Sequence, residues 1–493
     1  MSVAVKVREG DPGIARRWRI SMAQLWAFVA IALPIVAALA SKISAVDLAY
    51  HIRAGESMLA THVLPRMDTY TFTVASHPWL DQQWGAQVLF ATAFRFGGWA
   101  TLSVLRAALV GVSFLFVYLS CRERGAGIRR SAALTLASFG VAVPGLGLRP
   151  QLFAIALFAI STWLVARRHA HPQGLYAIPL LIVIWVNLHG SFFLPLVLLA
   201  LAWLEDRREP ARVRRPLVAA ALLSLIATTL NPFGLRVWEY VVHISRDPAI
   251  TRFVTEWQPP TIRTYGGIAF FVSAAAVAVV LARRAEPTPW PALIGVGVFF
   301  AIALDAQRGI IWWAIAIPGI LAATFPSVDE SQQERVRSVL NLALAAALVL
   351  ASFVFAPWWP ARDPNVVTSS LLRDAPPGIT RALTGIASPG ERIFNAQAWG
   401  SWLEYAFPRT KVAVDSRIEL FPSTVWQTYE DVSFGRQGWQ ETLDRWQVDL
   451  VVASREQEGR LLPLIAGDPT WHVAYSDEDG AIYERSGSPS SAP

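Results

Sequence analysis

The stretch that decides the fold is 22-MAQLWAFVAIALPIVAALAS-41. It carries no charge, and about 20 consecutive apolar residues is the length a helix needs to cross the hydrocarbon core of a bilayer. Arg16, Arg17 and Arg19 precede it, which puts the N-terminus on the cytoplasmic side. Ala38-Leu39-Ala40 fits a signal-peptide cleavage pattern. The block exceeds the roughly 7–15 residues of a signal h-region, however, so it reads as a retained span.

Further apolar blocks follow at about 98–120, 131–147, 151–167, 176–188, 190–204, 216–230, 266–282, 289–305, 309–325 and 339–357, giving eleven spans. The linkers support that count. Arg122, Arg124, Arg129 and Arg130 follow the second span, and Arg167 and Arg168 the fourth. Five arginines between Arg207 and Arg215 follow the sixth, Arg283 and Arg284 the eighth, and Arg335 and Arg337 the tenth. A basic cluster after every even-numbered span is the positive-inside pattern. The first loop, 44–97, and the segment 358–493 then lie outside. Tryptophans such as Trp79, Trp84, Trp257, Trp312, Trp358 and Trp359 cluster near these outer ends, as in an aromatic belt.

Composition agrees. Of 493 residues, 54% are hydrophobic and 16% charged, and mean hydropathy is +0.39. Soluble proteins average about 25% charged residues. The net charge of +7 is nearly all arginine, with lysine only at positions 6, 42 and 411. It sits in linkers rather than in the stripe of a nucleic-acid-binding face. The single Cys121 cannot form an internal disulfide. These features exclude an ordinary soluble enzyme, a disordered chain, a disulfide scaffold and a nucleic-acid partner.

After residue 358 the composition turns polar. Short β-type runs at Lys411–Val414 and Val448–Val452 alternate with helical stretches near 397–406, 423–432 and 437–446, which suggests a small α/β domain. The expected organisation is therefore a polytopic α-helical membrane domain, 1–357, an extracytoplasmic α/β domain, 358–485, and a Ser/Pro-rich disordered tail, 486–493.

The polar residues divide by side. Arginine dominates the cytoplasmic linkers, whereas the outer ends carry mixed polar residues. Asp47, in 44-SAVDLAYHIRAGE-56, follows the first span, with His51 one helical turn on. A carboxylate there can orient or deprotonate a hydroxyl; His51 could share that task or help bind a divalent metal. Capping of a helix by Asp47 is the plainer reading. His189 lies with Asn187 in a tight outer turn, 187-NLHGSF-192. Arg149, in 149-RPQLF-153, and Arg308, in DAQRG, open outer span ends. They can clamp an anionic phosphate bidentately or snorkel to lipid headgroups. Arg236 and Arg263 are weaker candidates for the same role. No Walker A loop, GxGxxG, HExxH, CxxC or GxSxG occurs, and no cofactor or metal site is identified.

Taken in order, VDLAYHIRAGE, PRMDTYTFT (65–73), HPWLDQQWGAQ (77–87), RPQLF, NLHGSF, NPFG (231–234), RIFNAQAWGSWLEY (392–405) and KVAVDSRIEL (411–420) resemble the GT-C superfamily of polytopic glycosyltransferases. The nearest likeness is to the bacterial group of protein mannosyltransferases and aminoarabinose transferases. The resemblance implies an inverting transfer from a polyprenyl-phosphate-linked sugar to a glycan, lipid or protein acceptor, outside a bacterial inner membrane. It places the catalytic acid at Asp47 with His51 beside it. Arg53, Asp68, Asp81, Arg149, Asn187, His189, Arg263 and Arg308 become candidate substrate-binding residues. Many members carry two adjacent acids; here Leu48 follows Asp47, which leaves Asp68 or Asp81 as a second acid. Two alternatives are a non-catalytic scaffold for envelope polysaccharide assembly and a transporter or flippase. Transporters usually place ionisable residues near the midplane of repeated halves, and neither feature is evident.

Overall fold

The computed structural model describes residues 20–325, 337–356 and 371–486. The N-terminal arginines, Arg335, Trp358, Trp359, the expected boundary at 357/358 and residues 487–493 of the tail lie outside these.

Each of the eleven apolar blocks falls on a helix. Helix α1 (Met22–Ala40) leads to a short strand β2 (Ile43–Ser44) and helix α2 (Leu48–Thr61) in the first loop; β1 is Ile20–Ser21. Next come α3 (Trp84–Glu123), α4 (Ile128–Ala142), α5 (Pro150–Ala166), α6 (Ala177–Trp185), α7 (Leu194–Asp206) and α8 (Ala211–Ala227). The segment 231–265 contains α9 (Arg236–Arg246) and α10 (Pro248–Phe253). Then follow α11 (Tyr265–Ala282), α12 (Trp290–Asp305), α13 (Ile310–Ala322), β3 (Arg337–Ser338) and α14 (Val339–Phe355). Among the described residues α1, α3 and α11 are long and apolar enough to cross a membrane by length and composition; the other apolar helices are shorter.

Helix α3 begins well before the expected 98–120. Gly98, at φ 61°, joins a preceding helical arm to the apolar stretch, a conformation that glycine adopts without steric cost. The last carbonyls of α1, which lack intrahelical partners, are gathered by buried Arg106 of α3, which donates to Ala38, Ser41 and Lys42. Strands β1 and β3 pair antiparallel, so α1 and α14 start on the same side. At the other end of the bundle Arg168 is fully buried, bonded to Asp206 at 2.6 and 2.7 Å and to Glu205 at 2.6 Å. That member of a basic linker also fastens α5 to α7.

The polar C-terminal segment forms a five-stranded sheet. Its strands follow β4 (Leu372–Arg373): β5 (Arg392–Asn395), β6 (Lys411–Val412), β7 (Leu450–Ser454), β8 (Trp471–Ser476) and β9 (Gly480–Arg485), in the order β6-β5-β7-β9-β8. Strands β6, β5 and β7 are parallel and the last two antiparallel. Its helices are α15 (Pro377–Ile386), α16 (Gly400–Ala406), α17 (Ser423–Ser433), α18 (Trp439–Arg445) and α19 (Leu461–Ala466).

This α/β unit shares a core with the helices. Trp402 and Tyr405 of α16 pack on Trp99 of α3 at 6.1 and 5.7 Å between ring centroids. Strand β4 pairs with β2, and Thr71 of the first loop bridges to Val412. The first loop is therefore clamped between bundle and sheet, over one set of helix ends.

Candidate functional site

A cavity of about 510 Å³ opens where these parts meet. That is the size of a small-molecule site. Asp47, His51, Arg149, His189 and Arg308 all line it, from four separate parts of the chain.

Asp47 occupies the N-cap position of α2, yet its side chain makes no capping bond. Its Oδ2 instead lies 2.8 Å from Arg149 Nε. Pro150 starts α5 in the first helical turn and fixes Arg149 as the residue before it, in extended conformation. The same guanidinium donates through Nη1 to Glu256, at 2.5 and 2.6 Å from its two oxygens. The acid beside Asp47 is thus Glu256, through a shared arginine. Neither Asp68 nor Asp81 takes that place.

Arg308 enters no ion pair among the described residues. Its guanidinium stacks over Trp257 at 4.6 Å, while its carbonyl accepts from Gln151 Nε2 at 3.4 Å. Asp47, Glu256 and Glu419 act on it through space.

His51 and His189 are both buried. Burial, reinforced by Arg149 and Arg417, holds His51 down to about 3. Burial, reinforced by Arg308 and His51, does the same for His189. Both imidazoles are therefore neutral at physiological pH. His189 Nδ1 pairs with Ser191 Oγ at 2.8 Å, which explains a histidine in so tight a turn. His51 Nδ1 has no partner. No group of three or more His, Cys, Asp or Glu side chains among the described residues could hold a metal ion.

Five sequence candidates do not line the cavity, and four of them are engaged elsewhere. Arg53 donates to the carbonyls of Glu404 and Pro408 and lies 4.4 Å over Tyr70. Asp68 is fully buried; it accepts from Tyr70 N, Thr71 N and Thr71 Oγ1 and pairs with Arg417 at 2.7 Å. Asp81 accepts from Gln87 Nε2 at 2.8 Å, and burial pushes its carboxyl up to about 8. Asn187 accepts from Trp84 Nε1 and donates to the carbonyls of Val183 and Leu230, bracing the turn. Arg263 is exposed ahead of α11. In the first four the polar group meets a demand of the fold itself.

Sequence reasoning did not single out Glu419 and Tyr240. Tyr240, on α9, donates to Glu419 Oε1 at 3.2 Å, and both line the cavity. Glu419 lies in KVAVDSRIEL, four residues after Asp415. Asp415 accepts from Arg417 N at 2.7 Å and Nε at 2.9 Å. Arg417, completely buried between Asp415 and Asp68, faces Tyr50, Tyr70 and Trp79. This knot fixes the arm that carries Ser416, Ile418 and Glu419 into the cavity. The motif is a visible signal, but the direction of its side chains is not.

No family model and no curated sequence matches this chain. Solved structures do. The apo oligosaccharyltransferase of Archaeoglobus fulgidus superposes with a TM-score of 0.52 at 13% identity, covering 94% of this chain and 74% of that one. The archaeal oligosaccharyltransferase AglB from the same organism, solved with an inhibitory peptide and a dolichol-phosphate, gives 0.51 at 12% identity, with the same shares covered. ArnT from Cupriavidus metallidurans, solved with undecaprenyl phosphate, gives 0.50 at 14% identity, covering 94% of this chain and 98% of that one. The chain therefore has the GT-C fold, the one that its ordered motifs resemble.

Proposed function

We propose that this protein is a membrane glycosyltransferase that moves a sugar from a polyprenyl-phosphate donor to an acceptor hydroxyl. The observation that carries the reading is the pairing, in one cavity, of an arginine without a carboxylate partner, Arg308, with a carboxylate held in place by Arg149, Asp47. The solved neighbours hold dolichol-phosphate or undecaprenyl phosphate on the same fold. In this reading residues 1–357 form the membrane domain and 358–485 the outer domain. The N-terminus is cytoplasmic, and the cavity opens on the extracytoplasmic face of the inner membrane.

The acceptor oxygen attacks the anomeric carbon as the bond from that carbon to the phosphate oxygen breaks, with inversion. Asp47 takes the hydroxyl proton, a contribution of about 10²–10⁴-fold. Arg308 faces the charge gathering on the leaving phosphate, in a site where fixed donors act with little water between. His51 and His189, whose low proton affinity makes them poor bases, serve as hydrogen-bonding walls.

The test is equilibrium binding of undecaprenyl phosphate to the protein in nanodiscs, followed by transfer from sugar-charged undecaprenyl phosphate in membranes. Saturable binding that Arg308→Ala abolishes is expected. Binding indifferent to Arg308 would remove the reading. The ion pair that occupies Asp47 also suits a non-catalytic scaffold on the same fold; lipid binding without transfer would favour that.

A further inference from the structure

Glu419 differs from Asp47 and Glu256, two other acids that line the cavity. Asp47 and Glu256 share Arg149, whereas Glu419 enters no ion pair among the described residues and is met by a phenol, Tyr240. Two more acceptor-capable atoms on the wall lack partners. Gln82 is 1% exposed; its Nε2 donates to Val186 O at 2.8 Å while its Oε1 has no donor. His51 is equally buried, and its Nδ1 is also unpartnered. Buried polar atoms in folded proteins are nearly always hydrogen-bonded, and leaving one unmet costs about 1–3 kcal/mol. Similar unpartnered atoms occur elsewhere in the molecule, but Gln82 and His51 are the two of these residues that line the cavity, where a ligand can supply the missing bonds.

The chemistry of that ligand follows from the inventory. Glu419, Gln82 Oε1 and, in one tautomer, His51 Nδ1 all accept hydrogen bonds. A phosphate, itself an acceptor, does not suit this wall. Tyr50 and Trp312 add aromatic surface. Several acceptors beside aromatic rings suit a neutral ring bearing several hydroxyls. Burial also raises the Glu419 carboxyl above its ordinary range.

We infer that Glu419 and Tyr240, with Gln82 and His51, form a subsite that reads the hydroxyls of a neutral sugar ring. The subsite is contributed partly by the C-terminal domain and is separate from the Arg308 phosphate position. The inference rests on the glycosyltransferase reading for the source of the sugar, either the lipid-linked donor or a glycan acceptor. Glu419 here is a specificity-determining residue, and Asp47 keeps the proton transfer.

The experiment compares binding of undecaprenyl phosphate with undecaprenyl phosphate carrying glucose, mannose or galactose, to the full chain in nanodiscs. Wild type should bind at least one charged lipid about tenfold more tightly than the bare lipid, the worth of one or two hydrogen bonds to a charged group. Glu419→Gln and Tyr240→Phe should erase that gain without weakening bare-lipid binding. Arg308→Ala should weaken both lipids together. A second arm measures binding of free maltose. Glu419-dependent maltose binding without a charged-lipid gain assigns the subsite to the acceptor and still supports it. If neither arm depends on Glu419 or Tyr240, the sugar subsite is overturned. If bare lipid fails to bind at all, the glycosyltransferase reading fails instead, and the two failures are told apart.

Discussion

Arg149 stands between two acids, with its Nε 2.8 Å from Asp47 Oδ2 and its Nη1 within hydrogen-bond reach of both Glu256 oxygens. A carboxylate at a helix start ordinarily accepts from the first-turn amides. Asp47 does not, because the arginine at the start of α5 holds it toward the cavity.

Asp47→Asn should therefore lower sugar transfer by about two orders of magnitude or more while leaving undecaprenyl phosphate binding intact. Were Asp47 a cap, the variant would be nearly silent, since Asn caps about as well as Asp. Transfer rates in membranes with matched protein levels decide between these outcomes.

Arg308→Lys keeps the charge but loses the planar fork that grips two phosphate oxygens and stacks on Trp257. Binding of undecaprenyl phosphate should weaken by roughly tenfold or more. A snorkelling arginine would tolerate lysine, so unchanged affinity in a titration would count against the phosphate role.

The Asp68–Arg417 pair is fully buried. Removing Asp68 leaves Arg417 with Asp415 as its remaining close carboxylate, so the cost is a part of the about 3–5 kcal/mol of a fully stranded buried charge. Asp68→Ala should lower the melting temperature in detergent and expose the join between first loop and sheet to trypsin. Melting and digestion like wild type would show that the knot does not hold the C-terminal arm.

Asp81 provides a pH signature. Its carboxyl sits at about 8 in the folded protein, against 3.8 ordinarily, chiefly through burial. Between those values the folded chain binds a proton that the unfolded chain has released, so the group's contribution to stability falls as pH rises from about 4 to 8. Asp81→Asn should stabilise the protein most at pH 8 and above, and little at pH 4. Thermal melts across that range would show a flatter profile, and an unchanged profile would contradict the assignment.

Topology is open to a direct check. An export-dependent phosphatase fused after Arg485 should be active, and one fused after Arg208 inactive. The opposite pattern would place the cavity on the cytoplasmic side.

Hydropathy is local, so the sequence alone determined the apolar helices; block length and the cost of unpaired backbone groups in lipid leave few alternatives. It also marked Asp47, Arg149, His189 and Arg308, because span ends can be read one at a time. The tertiary structure decided which of these converge, and which polar residues the fold keeps for itself. Arg149 and Glu256 are 107 positions apart, and Arg417 and Asp68 are 349 apart. Such partners are chosen by how helices and sheet pack, which no local pattern encodes. That is why Asp68 and Arg53, typed like site residues, became structural, while Glu256 and Tyr240 entered the cavity without a distinguishing local signal and Glu419 did so from a visible motif whose side-chain direction is not local.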